Sequence, residues 1–260
     1  MDQDMIRTTP SIETKNLTIQ FGGHTAVDHV NLKFESFTLK SIIGPNGAGK
    51  TTLFNLLSGQ YKPSSGQVLF KGKDITSLGP AKRTQIGIGR SFQLTNVFPS
   101  LSVLENVRLG LQSRTELGMI FWKHWRTYSD LEDKAYEILK QVLLEKRWKA
   151  PASTLTHGEQ RKLEIAILLG LDPDVLLLDE PTAGMSIEEV PAILDILESI
   201  KAAQTRTIIL VEHKFDMIMK LSDAIAVLQE GRLICDDTPE AVADNEQVLA
   251  AYLGGGVKHE

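Results

Sequence analysis

A glycine-rich stretch near the start of the chain has the residue types and spacing that bind phosphate. Residues 44–51 read Gly-Pro-Asn-Gly-Ala-Gly-Lys-Thr, which fits the pattern G-x-x-x-x-G-K-[ST] throughout. The glycines let successive backbone N–H groups turn toward phosphate oxygens, and a helix that starts after the loop adds its positive end. Lys50 can place a mobile cation on the β- and γ-phosphates, and the Thr51 hydroxyl is a hard oxygen ligand for Mg²⁺. We assign phosphate binding to Gly44, Pro45, Asn46, Gly47, Ala48, Gly49, Lys50, Thr51 and Thr52.

A second group of candidate residues ends an apolar run later in the chain. Residues 175–178 are Val-Leu-Leu-Leu, and Asp179 and Glu180 follow them. In open parallel sheets, ligands bind at the carboxyl ends of the strands. Asp179 is therefore a candidate Mg²⁺ ligand, and Glu180 is a candidate general base for an attacking water. Buried strands often end in acids without catalytic reason, so the functional interpretation depends on the phosphate-binding loop upstream.

The hydrophobic pattern predicts the elements that must position these residues. The first 40 residues alternate in polarity around Gly22-Gly23, which predicts antiparallel strands joined by a tight turn. Residues 101–149 are mainly helical in pattern, and Ser129 with Glu132 has the spacing of a capping box. After residue 151, helices and strands alternate, which is typical of a mostly parallel sheet covered by helices. We predict strands at residues 37–43, 68–70, 86–88, 175–178, 207–211 and 224–228, and helices at 51–58, 158–170, 190–200, 214–221 and 239–253.

Further motifs extend the pattern along nearly the whole chain. Residues 155–159, Leu-Thr-His-Gly-Glu, resemble the LSGGQ signature of ATP-binding cassette (ABC) ATPases. Gln93, which ends Arg-Ser-Phe-Gln, is similar to the glutamine of the family's Q-loop, and His213, just beyond a predicted strand, is similar to its switch histidine. Phe21 precedes the phosphate loop at the spacing of the aromatic residue that stacks on adenine. Each motif alone has an ordinary structural explanation, and their order and spacing together carry the resemblance.

The resemblance implies a fold class and a division of the chain. We expect an α/β fold in which a P-loop ABC ATPase core has a mainly parallel sheet, an N-terminal antiparallel β subdomain and an inserted α-helical subdomain. Residues 1–100 and 151–260 would form the ATPase. Residues 101–150 would form part of the helical subdomain, which would extend into the signature helix.

The resemblance also implies that the chain binds ATP with Mg²⁺ and hydrolyses the ATP. The catalytic residues would be Lys50, Gln93, Glu180 and His213, and the metal ligands would be Thr51, Gln93 and Asp179. Two subunits, identical or related, would sandwich two nucleotides, and each signature would close over the nucleotide of the other subunit. The nucleotide-binding set would then also include Phe21, Thr156, His157, Gly158 and Glu159.

Two positions depart from the family pattern. The family's aspartate in the loop after the acidic pair has no match, because residues 183–186 read Ala-Gly-Met-Ser. Ser186 is placed to cap the next helix together with Glu189. His157 replaces the first glycine of the signature, so its side chain is expected to point away from the nucleotide.

The detailed motifs resemble the ATPase subunits of branched-chain amino acid importers. This resemblance implies integral membrane permease subunits as direct partners and a periplasmic or extracellular solute-binding protein as an indirect one. ATPases of urea and short-amide importers are closely similar, and the lipopolysaccharide exporter ATPase is a more distant relative. The aromatic cluster at residues 119–125 either packs within the helical subdomain, receives a permease helix or contacts lipid. A non-transport ABC ATPase and a regulatory module without hydrolysis are the rival interpretations.

Composition limits the remaining possibilities. The chain has 260 residues and a formal net charge of −5, so it lacks the basic excess of a non-specific nucleic-acid binder, and no nucleic acid is expected as a partner. Its single cysteine, Cys235, excludes an internal disulfide. No apolar run approaches the roughly 18 residues that cross a bilayer. Any membrane role must therefore come through a partner, and the resemblance implies a peripheral protein at the cytoplasmic face of the inner membrane.

Overall fold

An antiparallel sheet near the N terminus contains the predicted hairpin, and that prediction is confirmed. The computed structural model describes residues 9–91, 97–113 and 125–253. The sheet contains β1 (Ile12–Phe21), β2 (His24–Phe34), β4 (Ser65–Phe70) and β5 (Lys73–Asp74). Within the described residues its strand order is β2-β1-β4-β5, and Phe21 pairs with His24 across the two-glycine turn.

A second sheet carries the residues predicted to do chemistry. It contains β3 (Leu39–Ile43), β6 (Ile88–Arg90), β7 (Val175–Asp179), β8 (Thr207–Val211), β9 (Ala224–Gln229) and β10 (Arg232–Asp237). Its order in the described chain is β10-β9-β3-β8-β7-β6, and only β10 is antiparallel to its neighbour there. Every residue of β3, β7 and β8 is buried, as expected where both faces are covered. The carboxyl ends of these three strands meet at one edge of the sheet.

Helices surround this sheet. They are α1 (Lys50–Ser58), α2 (Pro80–Ile86), α3 (Val103–Ser113), α4 (Trp125–Gln141), α5 (His157–Gly170), α6 (Val190–Ala202), α7 (Phe215–Leu221), α8 (Pro239–Ala243) and α9 (Glu246–Leu253), with 3₁₀ turns at Glu145–Arg147 and Ala152–Thr154. Helices α3, α4 and α5 pack on one another. Helix α1 fills the core between the two sheets through Leu53, Phe54, Leu56 and Leu57. Among the described residues, no helix is both long and apolar enough to cross a bilayer.

The predicted fold class is confirmed, with corrections to individual elements. The strand predicted at 86–88 is wrong at its start, because Ile86 ends α2 and Gly87, at φ 113°, turns the chain into β6. Ser129 lies within α4 and not at its N terminus, so the predicted capping box there is wrong. The C-terminal helix is divided into α8 and α9. Strand β10 was not predicted, because the two aspartates at its end obscure the alternation of apolar and polar residues. The domain boundaries at residues 100 and 150 stay predictions.

Candidate active site

The phosphate loop connects β3 to α1 in a shape that only glycine permits at two points. Gly44 and Gly49 have φ angles of 151° and 96°. An added Cβ would lie 2.2 Å from the Leu228 carbonyl oxygen at Gly44, and 2.4 Å from the Ala26 carbonyl oxygen at Gly49. Among the described residues, no side chain caps the N terminus of α1, and its first turn contains no acid. The first N–H groups of α1 are therefore oriented for an anion.

Lys50 lies inside this loop. Its Nζ donates to the carbonyl oxygens of Gly44 at 2.7 Å and Pro45 at 3.0 Å, and only 6% of the residue is exposed. Burial lowers the pKa of Lys50, while the charges of Glu180 and Asp179 oppose this effect. The ammonium group is thus enclosed by the phosphate loop, and two carboxylates lie close enough to act on it.

The acidic pair lies where the sequence predicted, at the carboxyl end of β7. Asp179 is the last residue of the strand, and its side chain is completely buried. Burial raises the pKa of Asp179, and the Arg90 guanidinium, 3.5 Å away, opposes the increase most strongly. Glu180 follows with a left-handed φ of 47°, a conformation that costs about 1–3 kcal/mol in a residue other than glycine. Its N–H donates to the Val211 carbonyl oxygen at 2.8 Å, which helps hold the strained turn.

This strained turn brings Glu180 to the predicted switch histidine. The Nε2 atom of His213 lies 2.8 Å from Glu180 Oε1, across two strand ends that are 33 positions apart in the chain. The pair is partly exposed, so a water molecule can reach it. The geometry suits general-base catalysis, in which the Glu180 carboxylate accepts a proton and His213 orients that carboxylate.

Glu212 links these strand ends and was not predicted to have a role. It is 4% exposed. Its Oε1 accepts from the N–H and hydroxyl of Thr182 at 3.1 and 2.6 Å, and its Oε2 accepts from the His213 N–H at 3.0 Å. The sequence signal that could have identified Glu212 was an acidic residue between a buried strand and the predicted switch histidine. Glu212 therefore couples the turn after the acidic pair to His213.

The signature residues form the N terminus of α5. The Glu159 N–H donates to Thr156 Oγ1 at 3.2 Å, and the Thr156 N–H donates to Glu159 Oε2 at 2.9 Å, which is a complete capping box. The His157 ring turns to the Ala183 carbonyl oxygen, 3.3 Å from Nε2. At Gly158 an added Cβ would lie 2.4 Å from Glu189 Oε1, so a larger residue would displace that carboxylate.

The loop that follows the acidic pair differs from the prediction. The Glu189 N–H donates to the Ser186 carbonyl oxygen at 3.1 Å, while the Glu189 carboxylate accepts from the Ser186 N–H at 3.2 Å. Helix α6 begins only at Val190. Ser186 is therefore not the N-cap of α6, and that prediction is wrong. Ile187, beside it, is 89% exposed.

Phe21 ends β1 with 47% of its surface exposed and meets Tyr61 edge to face, with the ring centroids 5.5 Å apart. The Tyr61 ring packs against Phe21 and leaves part of the Phe21 surface exposed for stacking with a nucleobase.

Gln93, predicted as a catalytic residue and metal ligand, lies outside the described residues. Just before it, the Ser91 hydroxyl accepts from the Asp179 N–H at 3.1 Å.

The site has oxygen ligands that suit Mg²⁺ when phosphate is also present. Thr51 is exposed at the start of α1, and Asp179 ends the adjacent β7. The described residues contain no group of three His, Cys, Asp or Glu side chains that could hold a metal ion. Mg²⁺ commonly binds through one or two protein oxygens together with substrate phosphates. The residues present fit this mode of binding.

The comparisons with known proteins agree with this geometry. Residues 27–183 match the family described as ABC transporter. The chain belongs to the ABC transporter ATPase family. Residues 232–258 match a second family, described as branched-chain amino acid ATP-binding cassette transporter. This ABC ATPase therefore matches family descriptions in its core and in its C-terminal part.

Its relatives include two named transport proteins. The high-affinity branched-chain amino acid transport ATP-binding protein LivG of Escherichia coli (strain K12) is 34% identical over 94% of this chain and 98% of its own length. BraF of Pseudomonas aeruginosa, with the same description, is 37% identical over the same shares. A solved ATP-binding cassette of an ABC transporter in its ADP conformation has a TM-score of 0.82 at 29% identity, covering 95% of this chain and 100% of that one. A dimeric bacterial ABC transporter cassette has a TM-score of 0.75 at 27% identity, covering 88% and 98%.

Proposed function

We propose that this chain is the ATP-hydrolysing subunit of an importer for branched-chain amino acids or related small solutes. Membership of the ABC transporter ATPases supports ATP hydrolysis as its chemistry. The solute class is supported by the second family match and by the names of the relatives. The observation that carries the proposal is the contact between Glu180 and His213 beside the buried Lys50 and Asp179.

The residues would act on bound ATP in defined ways. Phe21 stacks on the base, and the loop N–H groups with Lys50 hold the β- and γ-phosphates. Thr51, Asp179 and Gln93 would hold Mg²⁺, whose charge would offset that of the phosphates. Glu180 accepts a proton from the attacking water, and His213 orients that water against the γ-phosphate.

A second ATPase subunit, identical or related, would complete the site. Thr156 and His157 are exposed at the N terminus of α5, so the Thr156 hydroxyl and the Gly158 N–H would close over the partner's γ-phosphate. His157 and Glu159, on either side of Gly158, would stabilise the N terminus of α5. The exposed Ile187 is suited to the interface between subunits.

Integral permease subunits would hold this ATPase dimer at the cytoplasmic face of the inner membrane. A periplasmic or extracellular solute-binding protein would deliver the solute to the permease. The solute itself would not touch this chain, since the proposed site accommodates nucleotide. Specificity would therefore depend on these partners.

Hydrolysis is tested by Glu180→Gln, which keeps the size of the side chain and removes its ability to accept a proton. We expect ATP binding to remain and hydrolysis to fall by about 10²-fold or more. Glu132→Gln, at an exposed position of α4, is the matched control and should hydrolyse ATP at the wild-type rate. Equal hydrolysis by both variants would contradict the assignment of Glu180.

Transport is tested separately by tagging the chain in its native host and identifying what co-purifies from gently solubilised membranes. We expect a multispanning permease with a second ATPase copy or relative. Recovery with scaffold or ribosomal proteins and without a permease would exclude the importer and leave the ATPase intact.

A further inference from the structure

Arg90 joins three elements around the acidic pair. It is the last residue of β6, and its side chain is 12% exposed. Its Nη1 donates to Asn55 Oδ1 at 2.6 Å and to Ser58 Oγ at 2.7 Å, both on α1. The guanidinium carbon lies 5.0 Å from the centroid of the Phe54 ring. Helix α1 thus fixes the guanidinium plane through two polar groups and one aromatic face.

The remaining side of this guanidinium faces Asp179. Its Nη2 lies 3.5 Å from Asp179 Oδ2, and the carboxylate side chain is completely buried. The partners on α1 are neutral, so within the described part of the chain the negative charge in contact with Arg90 is that of Asp179. A buried cation and a buried anion this close attract each other more strongly than a surface pair does, and removing one of them leaves the other as an uncompensated buried charge.

A second buried arginine shows what a purely structural role looks like. Arg83 is fully buried and donates to backbone carbonyl oxygens, including those of Leu56 and Leu57 at the end of α1. It therefore closes the carboxyl end of that helix without a carboxylate contact in the described structure. Arg90 differs because its charge is directed at a residue of the proposed site.

The backbone of β6 reinforces this arrangement. Arg90 pairs with Leu177 in β7, and the next residue, Ser91, accepts from the Asp179 N–H. The end of β6 thus holds both the main chain and the carboxylate of Asp179. Gln93 follows two residues after Ser91 in the chain.

We propose that Arg90 is a positioning residue that holds the Asp179 carboxylate and neutralises it before a metal ion is present. This proposal rests on the proposed function. Without Arg90, the negative charges of Asp179 and Glu180 would repel ATP that arrives without Mg²⁺. ATP that arrives with Mg²⁺ would bring its own compensating charge, so its binding would change less.

The test compares the affinity for a fluorescent ATP analogue in EDTA and in excess Mg²⁺. We expect Arg90→Met to raise the Kd in EDTA about tenfold and the Kd in Mg²⁺ by less than about threefold. Arg90→Lys keeps the charge and should restore most of the affinity in EDTA. Arg90→Gln, which can still hydrogen-bond to α1, is a second neutral variant in case Arg90→Met folds poorly.

The double variant with Asp179→Asn gives the decisive comparison. If Arg90 acts through the Asp179 charge, Arg90→Met should have no selective effect in EDTA when residue 179 is asparagine. The matched control, Arg83→Met, should lower thermal stability and change both Kd values by the same factor. Equal weakening in EDTA and Mg²⁺ by Arg90→Met, in both backgrounds, would overturn the proposal. A wild-type chain that binds no ATP in either condition would instead overturn the proposed function, and this inference with it.

Discussion

Glu212→Gln tests whether the buried carboxylate beside His213 organises the site. The carboxylate accepts from two donors of Thr182 on one oxygen and from the His213 N–H on the other. A glutamine offers one carbonyl oxygen, so its NH₂ group must face a donor. If the carbonyl keeps the two Thr182 bonds, the His213 N–H loses its acceptor and meets an opposing N–H. One unsatisfied buried donor costs about 1–3 kcal/mol in the free energy of unfolding.

This loss should also reach the chemistry. A shifted His213 main chain would lengthen the 2.8 Å contact between its Nε2 and Glu180. We expect ATP hydrolysis to fall at least about tenfold, because small misplacements of catalytic groups are costly. Urea unfolding gives the stability change, and phosphate release in Mg²⁺ and ATP gives the rate.

Glu132→Gln is the control for this prediction, because it removes the same charge from an exposed side chain on α4. It should leave the free energy of unfolding and the hydrolysis rate unchanged. If Glu212→Gln behaves like this control in both measurements, the buried carboxylate does not organise the site and the reasoning fails.

Three further predictions follow from local geometry. Thr156→Ala removes a capping box and should cost about 1 kcal/mol of stability and slow hydrolysis, whereas Thr238→Ala, at another helix N terminus, should lower stability alone. Gly49→Ala should abolish ATP binding and lower the melting temperature, because its Cβ would lie 2.4 Å from a carbonyl oxygen of β2; Gly23→Ala, which meets nothing within 4 Å, should do neither. Hydrogen bonds from the backbone and the side chain of Ser102 lower the pKa of Glu105, so the ionised form of Glu105 is favoured in the folded state. Glu105→Gln should therefore lower stability at neutral pH, and the difference from wild type should shrink as the pH falls through that lowered pKa; a difference independent of pH would contradict this.

Local patterns predicted the main elements of the fold. The two-glycine turn, the apolar run before Asp179 and the helix after Lys50 are all short-range features, and each is present. The capping box of Thr156 and Glu159 was also predictable, because its members are three residues apart. Errors came where neighbouring residues give ambiguous signals, as at Ile86 and Ser129.

The sequence by itself determined which residue types are available for chemistry: a phosphate loop, a strand ending in two acids, a signature and a histidine after a later strand. Tertiary structure decided how they meet. The contact of Glu180 with His213, the two bonds from Thr182 to Glu212 and the approach of Arg90 to Asp179 all join segments far apart in the chain. Such contacts depend on strand order and on the burial of whole elements, and no local window of sequence contains that information.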